Sequence, residues 1–582
     1  MIFYKLNSFI KNNFLNLTIA LCAVVFLTVV FSFERHVVID GDAKDYYSYL
    51  VSLFIDHNFT HQTGNDWYLI QTPTGTINVH TIGVSILIAP FFFGAFLYAK
   101  IFNLPLDGFS MPFQMGVYFA GVFYCVIGLV FLKKLLLQLN FKQNLVGLLL
   151  ILTAFGTHLF SYTVNESGMP HVYAFALTSA FLYFILNLFQ KRETKYYYLS
   201  AIVLGLIILV RPVNIILLSF VPFFFQNKYD LISNLKVVVR SKHFYLSIIV
   251  LFLVCGIQSV AWYSQNGKLL QDSYAGNGFY FNDPQLLKML FGFNNGLFIY
   301  VPLCFLLLFG LIPMLANNRY KGFVFIFSLA FILYIFASYW AYNYFDGFGI
   351  RTLVDFLPVF VIAGAYLFQA LSSKLNYLVI ALASLFLFMN IFHIYQYKNG
   401  IIKANGMNFE KYAYVFLKSN KLYADSLGGA NDLPLYSKTG KQLLFERNYI
   451  ASNQKLNNDS VYNFANLEYL LGFDYEFKKS VNNLFIIAEF ERKETKNNSS
   501  FNAQLTLGGS DPAKKNKMYH AYRLNETPVV SCCDWKKCTY SIALTTKFNK
   551  EDKLNLVIWN VDKTPFFIKN FKVKIFDYSY II

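Results

Sequence analysis

The stretch Leu17-Thr18-Ile19-Ala20-Leu21-Cys22-Ala23-Val24-Val25-Phe26-Leu27-Thr28-Val29-Val30-Phe31-Ser32-Phe33 is followed a few residues later by Asp40-Gly41-Asp42-Ala43-Lys44-Asp45-Tyr46-Tyr47. The first run is close to the length of about 20 apolar residues that crosses hydrocarbon. Lys5 and Lys11 precede it, and no small-x-small cleavage site stands before Glu34-Arg35. It reads as an uncleaved first span with a cytoplasmic N-terminus. The acidic, aromatic stretch then emerges on the outer face.

The rest of the composition agrees. Of 582 residues, 56% are hydrophobic and only 14% charged, with mean hydropathy +0.43. A soluble domain carries roughly 25% charged residues, so the chain falls in the membrane class. The net charge of +17 is spread over short loops and a polar tail, with no basic stripe or finger motif. Nucleic acid is therefore not the expected partner. Cys22, Cys125, Cys255 and Cys304 lie in apolar runs and read as small hydrophobes.

Apolar runs of near-span length cover 17–33, 84–102, 113–132, 145–162, 172–189, 197–210, 213–225, 244–263, 297–315, 324–339, 353–371 and 375–394. Loop charge selects among them. If 84–102 does not cross, then Lys133, Lys134, Lys142, Lys191, Arg192, Lys228, Lys236, Arg240, Lys242, Arg319, Lys321 and Lys374 all face the cytoplasm. That arrangement satisfies the positive-inside rule at every loop. The run 84–102, with Pro90 and three consecutive Phe residues, is then expected along the outer interface. About eleven crossings remain. Arg211-Pro212 splits a long apolar run into two short helices that meet near the outer surface, with proline opening the second.

At Tyr395 the character changes. Apolar runs shorten to strand length at 484–490, 503–507, 540–548, 554–559 and 566–576, separated by turn-forming residues. Leu554-Asn555-Leu556-Val557-Ile558-Trp559 partly alternates with period two, as a half-buried strand does. The expected organisation is a membrane domain over 1–394 with an outer loop at 34–112, a partly helical connector over 395–454, and an extracytoplasmic β-sandwich over 455–582. An outer location would allow a disulfide from Cys532 or Cys533 to Cys538.

The outer segments gather the ionisable residues. Asp40, Asp42 and Asp45 follow the first span. Asp42 and Asp45 share a face if a helix starts there, although carboxylates at a membrane boundary are also often simply solvated. Glu166 and His171 occupy the next outer loop, where Glu166 also suits a helix entry. The last outer loop contains Asp346-Gly347-Phe348-Gly349-Ile350-Arg351-Thr352-Leu353-Val354-Asp355. Arg351 and Asp355 stand i,i+4, so an intrahelical ion pair is one reading and a phosphate clamp at Arg351 the other. Arg211 reads as a second phosphate clamp or a snorkelling anchor.

This order of features resembles the GT-C glycosyltransferases, among them protein O-mannosyltransferases and lipid A aminoarabinose transferases. Arg211-Pro212-Val213-Asn214, Gly296-Leu297-Phe298-Ile299-Tyr300-Val301-Pro302 and Gly347-Phe348-Gly349-Ile350-Arg351 followed by Asp355 also resemble bacterial multispan proteins placed in that fold. The resemblance covers roughly residues 17–394. It implies that Asp42 takes the place of the catalytic acidic residue of the first outer loop, with Asp45 or Asp40 sharing or taking the role, since Ala43-Lys44 stands where relatives often have a second acid. Val79-His80-Thr81-Ile82-Gly83 takes the place of a proline-rich signature, without its prolines. The tail resembles carbohydrate-binding jelly rolls at the level of pattern.

The implied reaction moves a hexosyl or pentosyl unit from a polyprenyl-phosphate donor to a glycan, lipid or protein acceptor at the outer face of a bacterial inner membrane. Asp42 would act as base in one inverting displacement, with Arg351 and Arg211 on the donor phosphate. His80, Glu166, His171 and Asp355 are further pocket candidates. A divalent metal bridging carboxylate and phosphate stays open, since no His/Cys/carboxylate spacing requires one. Two other readings are a lipid-linked oligosaccharide polymerase, ligase or translocase, and a non-catalytic transporter or assembly protein. A transporter should show repeated halves, and no P-loop is present for ATP-driven transport.

Overall fold

The computed structural model describes residues 2–32, 37–60, 69–271, 278–344, 347–404, 406–420, 423, 441–448, 461–464, 467–482, 484–495, 503–514, 516–524, 534–544 and 546–578. Contacts divide the chain into two compact units, Met1–Ile394 and Tyr395–Ile582.

The first unit is helical. Its elements are α1 (Ile2–Ser32), α2 (Asp42–Phe54), a hairpin of β1 (Leu69–Thr72) and β2 (Gly75–Asn78), α3 (Gly83–Ile101), α4 (Met111–Gln138), α5 (Gln143–Phe155), α6 (Leu159–Val164), α7 (His171–Lys191) and α8 (Thr194–Val210). A 3-10 helix, Pro212–Phe224, leads to α9 (Lys228–Arg240) and α10 (Lys242–Asn266). Then come α11 (Leu286–Phe291), α12 (Leu297–Tyr300), α13 (Pro302–Leu308), α14 (Leu311–Asn317), α15 (Arg319–Ala337), a 3-10 turn at Arg351–Phe356, α16 (Leu357–Ala370) and α17 (Ser373–Lys398). Among the described residues, eight helices are long and apolar enough to cross a membrane, and nine if the bent pair Pro212–Phe224 and Lys228–Arg240 counts as one span. Gln143–Phe155, Thr194–Val210 and Pro302–Asn317 are shorter apolar helices. The chain is a multi-pass membrane protein. Large apolar side chains stand exposed on α10 and α17, Phe252 and Leu378 among them, as lipid-facing surfaces require.

Breaks account for the difference from about eleven uninterrupted crossings. The run 145–162 stops at Phe155 and resumes at Leu159, with the Thr157 hydroxyl turned back to the Thr153 carbonyl at 2.7 Å. The run 297–315 is cut at Pro302, which has no N–H for the helix ladder, and again at Gly310. A side chain at Gly310 would overlap the Ala363 carbonyl of α16; small residues permit such close helix approach. The run interrupted at Arg211-Pro212 folds back on itself, since Tyr196 and Tyr197 at the start of α8 share an apolar cluster with Phe225 beyond the 3-10 helix.

The segment expected along the outer interface forms α3, which is itself of crossing length and apolarity. It packs against α4 in the opposite sense. The Tyr124 hydroxyl donates to the Leu87 carbonyl at 3.1 Å, while Phe92 meets Phe113 near the start of α4.

The second unit contains α18 (Phe409–Val415) and strands β3 (Lys441–Asn448), β4 (Val461–Asn463), β5 (Tyr469–Glu476), β6 (Leu484–Glu494), β7 (Gln504–Ser510), β8 (Asn516–Arg523), β9 (Lys536–Leu544), β10 (Lys553–Trp559) and β11 (Phe566–Tyr578). One antiparallel sheet runs β5-β10-β7-β8; the other runs β3-β11-β6-β9, with β4 also paired to β11. The alternation read in the sequence sends Leu554, Leu556 and Ile558 into the shared core and leaves Lys553 and Asn555 outside. Strand β3 lies within the 395–454 stretch read as a connector, where alternation is weak because Leu443 is half exposed. Cys538 is buried, with its thiol 3.8 Å from the Lys536 carbonyl; Cys532 and Cys533 lie outside the described residues, and with them the expected disulfide.

Candidate active site at the start of α2

Gly41 adopts φ +54 before α2, a left-handed backbone that glycine reaches without penalty. The reversal puts Asp42 in the first helical turn, where unsatisfied N–H groups favour negative charge. Several contacts fix this corner. Gln114 of α4 accepts from the Val38 and Ile39 amides at 2.9 and 3.0 Å. A side chain at Gly168 would press on Ala43, so the loop before α7 seats α2.

His80 follows the β1–β2 hairpin. Asn78, fully buried, donates to the Asp45 carbonyl at 2.7 Å and the Ser48 hydroxyl at 3.0 Å, and accepts the His80 amide at 2.9 Å. Tyr49 donates to the His80 carbonyl at 2.7 Å. The next residues reach other helices: the Thr81 hydroxyl donates to the Val210 carbonyl, and the Ile82 amide to Gln258 of α10. The His80 ring lies against Tyr46, with centroids 4.3 Å apart. Burial pushes His80 down to about 4; Asp42 opposes the shift, while Arg351 and Arg211 add to it.

The 3-10 turn Arg351–Phe356 decides how the charges pair. With 3.0 residues per turn, positions i and i+4 lie about 120° apart, where an α-helix would bring them together. The intrahelical Arg351–Asp355 pair is therefore not formed. Arg351 Nη2 instead meets Asp42 Oδ2 at 2.9 Å, with the two side chains 19% and 17% exposed. Asp355 is fully buried. Its Oδ1 lies 2.9 Å from His171 Nδ1, and its Oδ2 accepts from Arg211 Nη1 at 3.2 Å and Asn214 Nδ2 at 2.7 Å. The same period of three places Asn214 beside Arg211 at the head of the longer 3-10 helix.

The loop before Arg351 supplies the remaining shape. Gly347 has φ +128, and a side chain there would meet the Tyr162 hydroxyl at 2.8 Å, the Arg351 Cδ at 3.4 Å and Glu166 Oε2 at 3.7 Å. Tyr162 donates to the Phe348 carbonyl at 3.2 Å, and His158 Nε2 lies 3.2 Å from the Ile350 carbonyl. Tyr300 of the Gly296–Pro302 motif packs on Phe348 and on His393. Asp42, Tyr162, Glu166 and Tyr46 all lie within electrostatic reach of the Arg351 guanidinium.

The structure thus gathers Asp42, Arg351, Arg211, His80, Glu166, His171 and Asp355 in one region. Asp45 is buried behind Asp42 on the same helix, while Asp40 is exposed and accepts the Gly41 amide. Sequence reasoning missed Tyr46 and Tyr162 as site walls and Asn214 as a ligand of Asp355. Tyr162 was hidden at the end of an apolar run, whereas Asn214 was legible as the third residue after Arg211. Among the described residues, no group of three or more His, Cys, Asp or Glu could hold a metal ion.

No family profile and no curated protein matches the chain. Among solved structures it is similar to the archaeal oligosaccharyltransferase AglB from Archaeoglobus fulgidus in complex with an inhibitory peptide and a dolichol-phosphate. That likeness has TM-score 0.41 and 13% identity, over 66% of this chain and 55% of the other. The oligosaccharyltransferase of the same organism in complex with Zn and sulfate gives 0.38 and 13%, over 73% and 59%. The arabinosyltransferase EmbB from Mycobacterium smegmatis gives 0.30 and 10%, over 78% and 56%. The chain spans little more than half the length of each. Likenesses this distant carry no residue's role, substrate or reaction over to this chain.

Proposed function

We propose that the chain is a membrane glycosyltransferase of the GT-C type, moving a sugar from a polyprenyl-phosphate donor to an acceptor hydroxyl outside the cytoplasm of a bacterium. The observation that carries this reading is the Asp42–Arg351 pair, a carboxylate and a guanidinium from distant parts of the chain, both partly open to solvent.

Arginine's planar fork fits a phosphate as well as a carboxylate. Donor phosphate arriving at Arg351 competes with Asp42 for the guanidinium and leaves the carboxylate without its counter-charge. Asp42 then accepts the proton of the acceptor hydroxyl as that oxygen bonds to the anomeric carbon. The bond from the anomeric carbon to the phosphate oxygen breaks with its electrons on phosphate, and the sugar inverts once. The oxocarbenium-like charge separation follows the logic of glycoside hydrolysis, with an acceptor hydroxyl in place of water. Arg351 stabilises the charge that grows on phosphate. Arg211, held beside Asp355 and His171, adds a fixed positive field. Tyr46, His80 and Tyr162 wall the site.

A divalent cation fits this donor set poorly, because Asp42 already faces a guanidinium and the described residues place no group of three ligands there.

The test is transfer in membrane vesicles from a radiolabelled polyprenyl-phosphate monosaccharide. Wild type should label an endogenous acceptor, and Asp42→Asn should lose about 10³-fold at normal protein level. Unchanged transfer by the Asn variant would remove the assignment. Activity only with an oligosaccharide-pyrophosphate donor would favour the polymerase or ligase reading.

A further inference from the structure

At the end of α8 away from Arg211, helices α7, α8, α9 and α10 and the 3-10 helix Pro212–Phe224 line a half-open cavity of about 410 Å³. That volume lies within the range of small-ligand sites, about 300–1,000 Å³. Its walls are almost wholly carbon, with Leu188, Leu204, Pro222, Leu235 and Phe244 among them. Ser200 also lines it, is 6% exposed, and its hydroxyl has no hydrogen-bond partner among the described residues. An unpaired buried hydroxyl is costly unless a ligand satisfies it.

Helix α9 lines one side of the cavity. It turns 113° from the 3-10 helix before it and presents Leu231, Leu235, Val238 and Val239 to the cavity, the i, i+4, i+7, i+8 stripe of an amphipathic helix. Lys236 and Arg240 fall on its other side and are exposed. Lys242 opens α10, and Arg192, just past α7, donates to Asn234 of α9 at 3.1 Å. The nearby acids are engaged: Asp230 accepts from Gln226 and Asn234, and Glu193 pairs with Lys195. A basic amphipathic helix of this kind lies in the membrane interface and attracts anionic headgroups.

We propose that the cavity binds one acyl chain of an anionic phospholipid, with its headgroup held by the cations around α9. Ser200 lies six residues into α8, about 9 Å along the helix axis. That is close to the depth at which the headgroup layer gives way to hydrocarbon, so a glycerol-ester carbonyl is placed to accept its hydrogen. The proposal does not depend on the transfer reaction at Asp42.

The full-length protein, purified in mild detergent and stripped of lipid, would be incubated with phosphatidylglycerol, phosphatidylcholine or polyprenyl phosphate and examined by native mass spectrometry. One phosphatidylglycerol per chain should be retained, about tenfold more tightly than phosphatidylcholine. Leu204→Trp, which fills the cavity, should abolish retention. The exposed double change Arg240→Glu with Lys242→Glu should keep the chain bound while erasing the preference for negative charge, and it serves as the test if Leu204→Trp does not fold. Equal retention of both phospholipids by wild type, an unaltered preference in the double variant, or displacement of phosphatidylglycerol by equimolar polyprenyl phosphate would overturn the proposal.

Discussion

Two aspartate–arginine pairs in the same unit lie in opposite surroundings. Asp355 is fully buried and contacts Arg211, Asn214 and His171, so each carboxylate oxygen has a partner. Asp42 meets Arg351 at 2.9 Å at a partly open mouth. A buried charge with several fixed partners serves architecture, because removing one partner strands the others without water. A half-open pair has water and ligands as competitors and can exchange partners at little cost. The two arginines are similarly exposed, at 15% and 19%, so the contrast lies in the carboxylates: Asp355 is closed off from water and Asp42 is not.

The comparison breaks most sharply at the open pair. Asp42→Asn or Arg351→Ala should each lower transfer by about 10³-fold, about 4 kcal/mol in the barrier, while thermal unfolding in detergent moves little. A large loss of stability in both would make the open pair structural. At the closed pair the expectation reverses. Asp355→Leu should destabilise the protein by about 3–5 kcal/mol in the same unfolding measurement, by removing the buried carboxylate on which Arg211, Asn214 and His171 converge. Asp355→Leu with near-wild-type stability would erase the distinction.

His80, between the two pairs, sharpens the comparison through pH. It is held at about 4 by burial and by the two arginines, against the pull of Asp42. The unfolded chain takes up this proton near pH 6.5, the folded one only near 4. Stability should therefore be constant above about pH 6.5 and fall as pH drops toward 4, by on the order of 3 kcal/mol in all. His80→Gln should remove that limb from the pH dependence of thermal unfolding. The smallest change is at Gly347, where φ +128 and the nearness of Tyr162 leave no room for a side chain. Gly347→Ala should cost about 1–3 kcal/mol of strain and lower transfer by moving Arg351, with the loss partly recovered by Tyr162→Phe.

Much of this was legible beforehand because it depends on local pattern. Residues 554–559 alternate, and they form β10; Arg211-Pro212 breaks a run, and the helix ends there. Arg351 was singled out because ionisable residues at membrane depth are costly unless they serve a purpose, and Asp42 because it follows the first span in the place of the acidic residue that the resemblance implies. Their pairing was less accessible. The i,i+4 spacing of Arg351 and Asp355 suggested an α-helical ion pair, and only the 3-10 geometry turned the two side chains apart. Strand β3 escaped because its apolar residues lack a period of two, and the wall residue Tyr162 because it is uncharged and ends an apolar run.

The sequence by itself determined that the chain enters a membrane many times and ends in a β-sheet unit, because both follow from the spacing of apolar residues along the chain. Which carboxylate faces which guanidinium was decided by the tertiary structure alone. Asp42, Arg211 and Arg351 are far apart in the chain, and Coulombic pairing depends on distance in space and on how much water each group keeps.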